Sequence, residues 1–269
     1  MTDMQQLYPF LSAGGPGLDV VMDDVRRSTA EKANDIVRLR ETVLEDHGDD
    51  LAACAARMAD AFRAGGRLFT FGNGGSSTDA QDVAALFLNP GVPGGSAGRA
   101  ARPLPALALT TDVAVVTALS NDIGFEVVFA RQLAAFGRPG DIALALSTSG
   151  NSDNLIAAIR EGGRRGMLTV GLAGYTGGQM AEESALNHLF VVPSSSVHRV
   201  QEAQTTIYHA LWELTQAELA RDGAAPAGTA PAGAAPAGTA RAGTAPAGTA
   251  PAEAAPAGTA RADMTWEGL

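Results

Sequence analysis

From residue 67 to residue 220 this 269-residue chain alternates short apolar runs with stretches of helical periodicity. The runs occupy 67–71, 106–110, 142–146, 168–172 and 189–192, and helical patterns fill 77–88, 125–136, 152–165, 178–184 and 199–220. Parallel strands can be joined only by a crossover long enough to hold a helix, so strands that take turns with helices build βαβ units. Such a sheet is covered on both faces, and its strands read as continuous apolar runs. The expected fold is α/β: a doubly wound five-stranded parallel sheet spanning about 66–220. Ahead of it, residues 20–64 read as helical, because Ile36, Leu39 and Val43, then Leu51, Cys54, Met58 and Phe62, recur at three- and four-residue spacing. Ser28 or Thr29 is placed to cap a first helix, Gly48-Asp49-Asp50 to break it from a second, and Gly65-Gly66 to end the second. Two N-terminal helices are therefore expected.

The C-terminal stretch has another character. Residues 223–262 hold only Ala, Gly, Pro and Thr apart from Arg241, Glu253 and Arg261. Prolines at 226, 231, 236, 246, 251 and 256 forbid a continuous helix. Side chains this small bury too little apolar area to offset the entropy of ordering. The expected division is a flexible 1–20, a folded domain over 21–221 and a disordered Ala/Pro/Gly/Thr-rich tail over 222–269. The tail's alanines inflate the hydrophobic share of 46%, so that figure says little about the core. A net charge of −10, with no clustered basic patch, argues against direct nucleic-acid binding. The single cysteine, Cys54, permits no internal disulfide and reads as a small buried apolar side chain. No basic n-region precedes an apolar stretch at the N-terminus, and no run of 18 apolar residues exists, so the expectation is a cytoplasmic protein without a membrane span.

Three segments carry chemistry. Phe71-Gly72-Asn73-Gly74-Gly75-Ser76-Ser77-Thr78 follows a strand and opens a helix. Its glycines allow positive φ and close approach to a ligand, and the helix N-terminus offers N–H groups to an anion. It has neither the lysine of a nucleotide-binding P-loop nor the full glycine spacing of a dinucleotide fingerprint. Leu146-Ser147-Thr148-Ser149-Gly150-Asn151-Ser152 sits in the same context, and its four hydroxyls exceed what one helix cap requires. Hydroxyls and backbone N–H groups together cradle a phosphate without a lysine. Both loops should emerge at the carboxyl ends of strands, where such sheets bind ligands. The third segment runs from Arg199 to His209, with Gln201 and His209 about two helical turns apart on the last folded helix.

Asn73-Gly-Gly-Ser76, Asp79-Ala-Gln81, Asn121-Asp122-x-Gly-Phe125, Ser147-Thr-Ser-Gly-Asn-Ser152, Arg199-Val-Gln-Glu202 and His209 come in an order and spacing that resemble the SIS (sugar isomerase) domain sedoheptulose-7-phosphate isomerases, or phosphoheptose isomerases. The resemblance covers most of residues 30–220. It implies a homotetramer, assembled partly through the N-terminal helices, with sugar-phosphate sites at subunit interfaces. It also implies phosphate contacts from Gly74, Ser76, Ser147, Thr148, Ser149 and Ser152, and substrate contacts from Asn73, Asp112 and Gln201. His209 matches a histidine that is both catalytic group and zinc ligand.

Two departures follow from the same comparison. The family's metal-binding and catalytic His and Glu, four residues apart, fall on Asp82 and Leu86. Leu86 can neither bind a metal nor move a proton, whereas aldose–ketose isomerisation needs a base to form an enediol. Asp82 is the substitute within the matched pair, with a shorter reach. Asp82, Gln201 and His209 are the donors left for zinc, and a neutral glutamine is a poor zinc ligand. Residues 89–102, rich in Gly and Pro, suggest a remodelled rim. Two readings stand: an isomerase of sedoheptulose 7-phosphate acting through an enediol, or a non-catalytic phosphosugar-binding sensor or scaffold resembling the relatives that bind the bacterial replication initiator.

Overall fold

The computed structural model describes residues 18–89 and 101–221. The expected flexible start (residues 1–17 of it), the Gly/Pro-rich rim (90–100) and the tail (222–269) lie outside the described residues. The folded part begins with α1 (Leu18–Arg63), followed by β1 (Leu68–Gly72), α2 (Gly75–Leu88), β2 (Ala106–Ala108) and α3 (Val113–Asp122). A short 3₁₀ turn (Phe125–Val127) leads into α4 (Val128–Phe136), then β3 (Ile142–Leu146), α5 (Asp153–Arg164) and β4 (Leu168–Gly174). A second 3₁₀ turn (Gly178–Glu182), β5 (His188–Val192) and α6 (Val197–Arg221) complete it. The five strands are all parallel in the order β2-β1-β3-β4-β5, the doubly wound α/β sheet that the alternation predicts.

Side chains alternate across the strands and define two cores. Leu68, Ile142, Leu144, Leu146, Val170, Leu172 and Phe190 point to the side covered by α1, α2 and α6. Phe69, Phe71, Ala143, Ala145 and Ala173 point to the side covered by α4 and α5. The alanines on that second face let α5 come close: a Cβ on Gly162 would sit 3.3 Å from the Ala143 Cβ and 3.2 Å from Thr169 Cγ2. Cys54 is fully buried between α1 and the sheet, as its apolar reading predicts, and burial pushes its thiol pKa up to about 12.

Three sequence expectations need correction. The expected pair of N-terminal helices is one helix of 46 residues, and Ser28, Thr29 and Gly48-Asp49-Asp50 all lie inside it. A glycine within a helix costs about 1 kcal/mol. Tertiary contacts across the expected break outweigh that. Val43 and Leu51 are buried on either side of it. His47 Nε2 meets the main chain of Val191 at 3.2 Å. His188 Nδ1 donates to Asp50 at 2.7 Å, because its Nε2 faces the Arg57 guanidinium at 3.1 Å and can only accept there. The second correction is α3, which the apolar pattern missed. Its run of Val113, Val115, Val116 and Thr117 has weak helix propensity, but Asp112 caps it by accepting from the Val115 N–H at 3.0 Å. The helical pattern expected over 178–184 reduces to the second 3₁₀ turn.

Candidate functional site

β1 and β3 are neighbours, with Gly72 opposite Leu146 as their last pair. The chain leaves β1 for α2 on one face and leaves β3 for α5 on the other. The strand order reverses at this point, and a crevice opens beyond the carboxyl ends where the two loops part. The first loop is closed tightly over α2: a Cβ on Gly72 would lie 2.5 Å from the Ser76 carbonyl oxygen and 2.9 Å from that of Leu146. Gly74, at φ 55°, makes the left-handed turn into the helix.

In the second loop the hydroxyls are set by the backbone. Ser147 Oγ accepts from the Gly150 N–H at 2.9 Å, and Ser149 Oγ accepts from the Asn151 N–H at 3.2 Å. Each hydroxyl uses a lone pair there and keeps its own O–H to donate. Ser152 is the N-cap residue of α5, yet its side chain makes no capping bond. Ser147 is buried, while Thr148, Ser149 and Ser152 are half-buried. Around them the loop is braced. A Cβ on Gly150 would stand 1.9 Å from the Gly177 carbonyl oxygen, the Gly174 N–H donates to the Thr148 carbonyl at 3.1 Å, and the Met180 N–H donates to the Gly150 carbonyl at 3.0 Å.

The two loops are tied to each other and to α6. Asn73 and Asn154 exchange two amide hydrogen bonds, each 2.9 Å. Gln204, fully buried, donates to the Ser147 carbonyl at 2.7 Å. Gln201 lies over the start of α2, its Nε2 only 2.2 Å from where a Cβ on Gly75 would be. Asn73, Gly74 and Ser76 lie in the first loop and the helix turn it opens, Ser147, Thr148, Ser149 and Ser152 in the second loop, and Gln201 against the first. Asp112 caps α3, and the amide of Asn73 is engaged by Asn154. Asn154 and Gln204 went unnoticed in the sequence. Their only signal was proximity to the serine loop and to Gln201.

Further along α2 the groups are acidic. Asp82 is exposed, and Leu86 turns inward to pack against the core under α1 and α6. Asp79 is half-buried, and its Oδ2 is buried without a hydrogen-bond partner among the described residues. Burial, then the Asp82 charge, raise the Asp79 pKa from an ordinary 3.8 to about 6. Tyr208 on α6 faces both carboxylates. Its phenol pKa is raised first by burial, with Asp79 and Asp82 adding to the shift against a hydrogen bond with Thr205. His209 is exposed, its ring 5.2 Å from that of Tyr208.

The donor set does not fit a zinc site. Leu86 offers no ligand, no hydrogen bond or ion pair joins Asp82, Gln201 and His209, and among the described residues no three His, Cys, Asp or Glu side chains come together to hold an ion. Among the described residues no helix is long and apolar enough to cross a membrane.

A 2-1-3-4-5 parallel sheet with a hydroxyl-rich loop at its switch point is the architecture of SIS domains, and the SIS domain family model matches residues 33–174. A phosphoheptose isomerase of Roseiflexus sp. (strain RS-1) is 39% identical over 197 residues, covering 73% of this chain and 96% of the relative. One from Desulfovibrio desulfuricans is 45% identical over 197 residues, covering 72% and 89%. The structure of the Neisseria gonorrhoeae phosphoheptose isomerase superposes with a TM-score of 0.64 at 31% identity, covering 72% of this chain and 99% of that one. The chain belongs to the SIS-domain family, and within it to the phosphoheptose isomerases.

Proposed function

We propose that this protein is an aldose–ketose isomerase whose substrate is sedoheptulose 7-phosphate. The observation that carries the reading is the serine loop: hydroxyls held by backbone N–H groups so that their O–H bonds remain free, beside two helix N-termini that no side chain caps. A dianionic phosphate suits that arrangement, since helix N-termini and hydroxyl donors both favour negative charge. Gly74, Ser76, Ser147, Thr148, Ser149 and Ser152 would hold the phosphate. Gln201 would meet the sugar, and the exposed His209, about two turns further along α6, would move protons between oxygens.

Assembly as a homotetramer is part of the proposal. An apolar groove of about 320 Å³ lies between α1 and α6, lined by residues that include Val37, Leu44, Leu51 and Ile207. Val37 and Leu44 are more than half exposed in the single chain. Light scattering on the full chain tests this: a mass four times that of the monomer is expected.

The activity test is incubation with sedoheptulose 7-phosphate in heavy water, followed by mass spectrometry of the sugar. Deuterium incorporation above a protein-free control is the expected result. Intact binding by calorimetry with no incorporation would leave a phosphosugar-binding protein and remove the isomerase.

A further inference from the structure

An enediol reaction needs a base beside the carbon that loses its proton, and Leu86 is none. Asp82, which shares the matched pair with Leu86, is exposed. Asp79 differs from it in two ways, its distance from the phosphate loop and its burial. It stands four residues past Gly75, about 6 Å along the axis of α2 from the end that faces the phosphate loop. Both carboxylates are on the side of α2 that meets α6: Gln201 lies against Gly75, and Tyr208, two turns further along α6, faces Asp79 and Asp82. The two helices therefore run in the same direction, and the seam between them leads from the phosphate loop to Asp79. The Asp79 Oδ2 is buried and accepts no hydrogen bond among the described residues. Buried carboxylate oxygens are nearly always paired, and exceptions concentrate where the group has a chemical task.

The geometry points to Asp79 as the base that takes and returns the carbon-bound proton, an assignment that rests on the isomerase reading. The Asp79 carboxylate removes a proton from C1 of the ketose. The electron pair of that C–H bond forms the C1–C2 double bond, the C2 carbonyl pair moves onto O2, and O2 takes a proton. The enediol then collapses: O1–H gives up its proton, the C1=O1 bond forms, and C2 receives the proton held by Asp79. In sum one proton passes from C1 to C2 and one from O1 to O2, with no oxidant or reductant. His209 is the group placed for the oxygen-to-oxygen transfer.

The same surroundings give the carboxylate the basicity the step needs. At about 6 it stays ionised at neutral pH but is a much stronger base than an ordinary aspartate. The titratable groups facing it are Asp82 on its own helix and Tyr208 on α6. Beyond Tyr208, α6 carries the adjacent His209 and, nearer the phosphate end, Arg199 and Glu202, which pair with each other. The strands packed against α2, with sequences LFTFG, ALA and IALAL, present none.

The test uses the full-length chain with sedoheptulose 7-phosphate, reading exchange in heavy water, calorimetric affinity and the pH dependence of kcat/KM. The wild-type profile should fall with unit slope below about pH 6. Asp82→Asn should move that limb to lower pH by removing the charge that raises the Asp79 pKa. Asp79→Asn should cut exchange by ~10²–10⁴-fold with affinity within about threefold of wild type. Exchange by a folded Asp79→Asn within threefold of wild type, or a wild-type profile with no limb near pH 6, overturns the assignment while leaving the isomerase intact. The pH profile decides even where the variant does not fold. A wild type that binds the sugar but exchanges nothing overturns the isomerase reading, and the assignment with it.

Discussion

Two carboxylates packed beside the same sheet show how differently one fold treats the same group. Asp141, at the amino end just before β3, is buried and accepts from the Arg67 N–H at 2.8 Å, the Arg138 N–H at 3.0 Å and the Arg67 guanidinium at 2.8 Å. Asp79, one turn into the helix that follows β1, has a buried oxygen with no partner among the described residues. A satisfied carboxylate stiffens a structure, whereas an unsatisfied one carries a desolvation cost that persists only where something is gained from it. The amino end of the sheet is built to stay folded, and the carboxyl end to bind and react.

The comparison can be broken first at the serine loop. Ser147→Ala with Ser149→Ala removes two donors to a charged phosphate, each worth about 1.5–3 kcal/mol, so affinity for sedoheptulose 7-phosphate should fall at least a hundredfold by calorimetry. Asp141→Ala should act on stability instead. It strands the Arg67 and Arg138 N–H groups and removes a buried ion-pair partner, for about 3 kcal/mol and a Tm lower by roughly 6–12 °C in a scanning experiment, with sugar affinity little changed. Asn73→Ala and Asn154→Ala, combined in a double-mutant cycle, should show a coupling of about 1 kcal/mol in ligand binding, since their paired amides hold the two loops in register.

The smallest effect is the most pointed, because it reverses the usual sign. Asp79 holds its proton more tightly folded than unfolded, so its contribution to stability is greatest below its ordinary pKa of 3.8 and is lost as pH rises through about 6. Asp79→Asn should therefore be more stable than wild type at pH 7, by about 1 kcal/mol once solvent screening of a half-exposed group is allowed for, and equal to it near pH 3.5. Chemical denaturation at the two pH values checks this. A stability gain coupled to an activity loss is what a site maintained at a cost to the fold produces.

Much of this was legible in the chain. The five apolar runs named the strands to within two residues or so, because a doubly covered parallel strand must be apolar throughout. The glycine and serine loops marked both walls of the crevice, because phosphate binding needs small residues and hydroxyls at strand ends. Leu86 stood out as a missing base only against the family pattern that the motifs resemble. What was hidden depended on neighbours distant in sequence. Gly48 reads as a helix break until Asp50 and Arg57 meet His188, more than a hundred residues away. Asn154 and Gln204 are ordinary polar residues until folding brings them to Asn73 and Ser147.

Asp79 lies within the Asp79-Ala-Gln81 motif, but nothing in its flanking residues tells burial from exposure. Periodicity and residue type are local properties, so the chain could specify its elements and its anion-binding loops. Desolvation and pairing depend on what lies across the gap between α2 and α6. Packing therefore determined which of two nearby aspartates keeps a bare, buried oxygen.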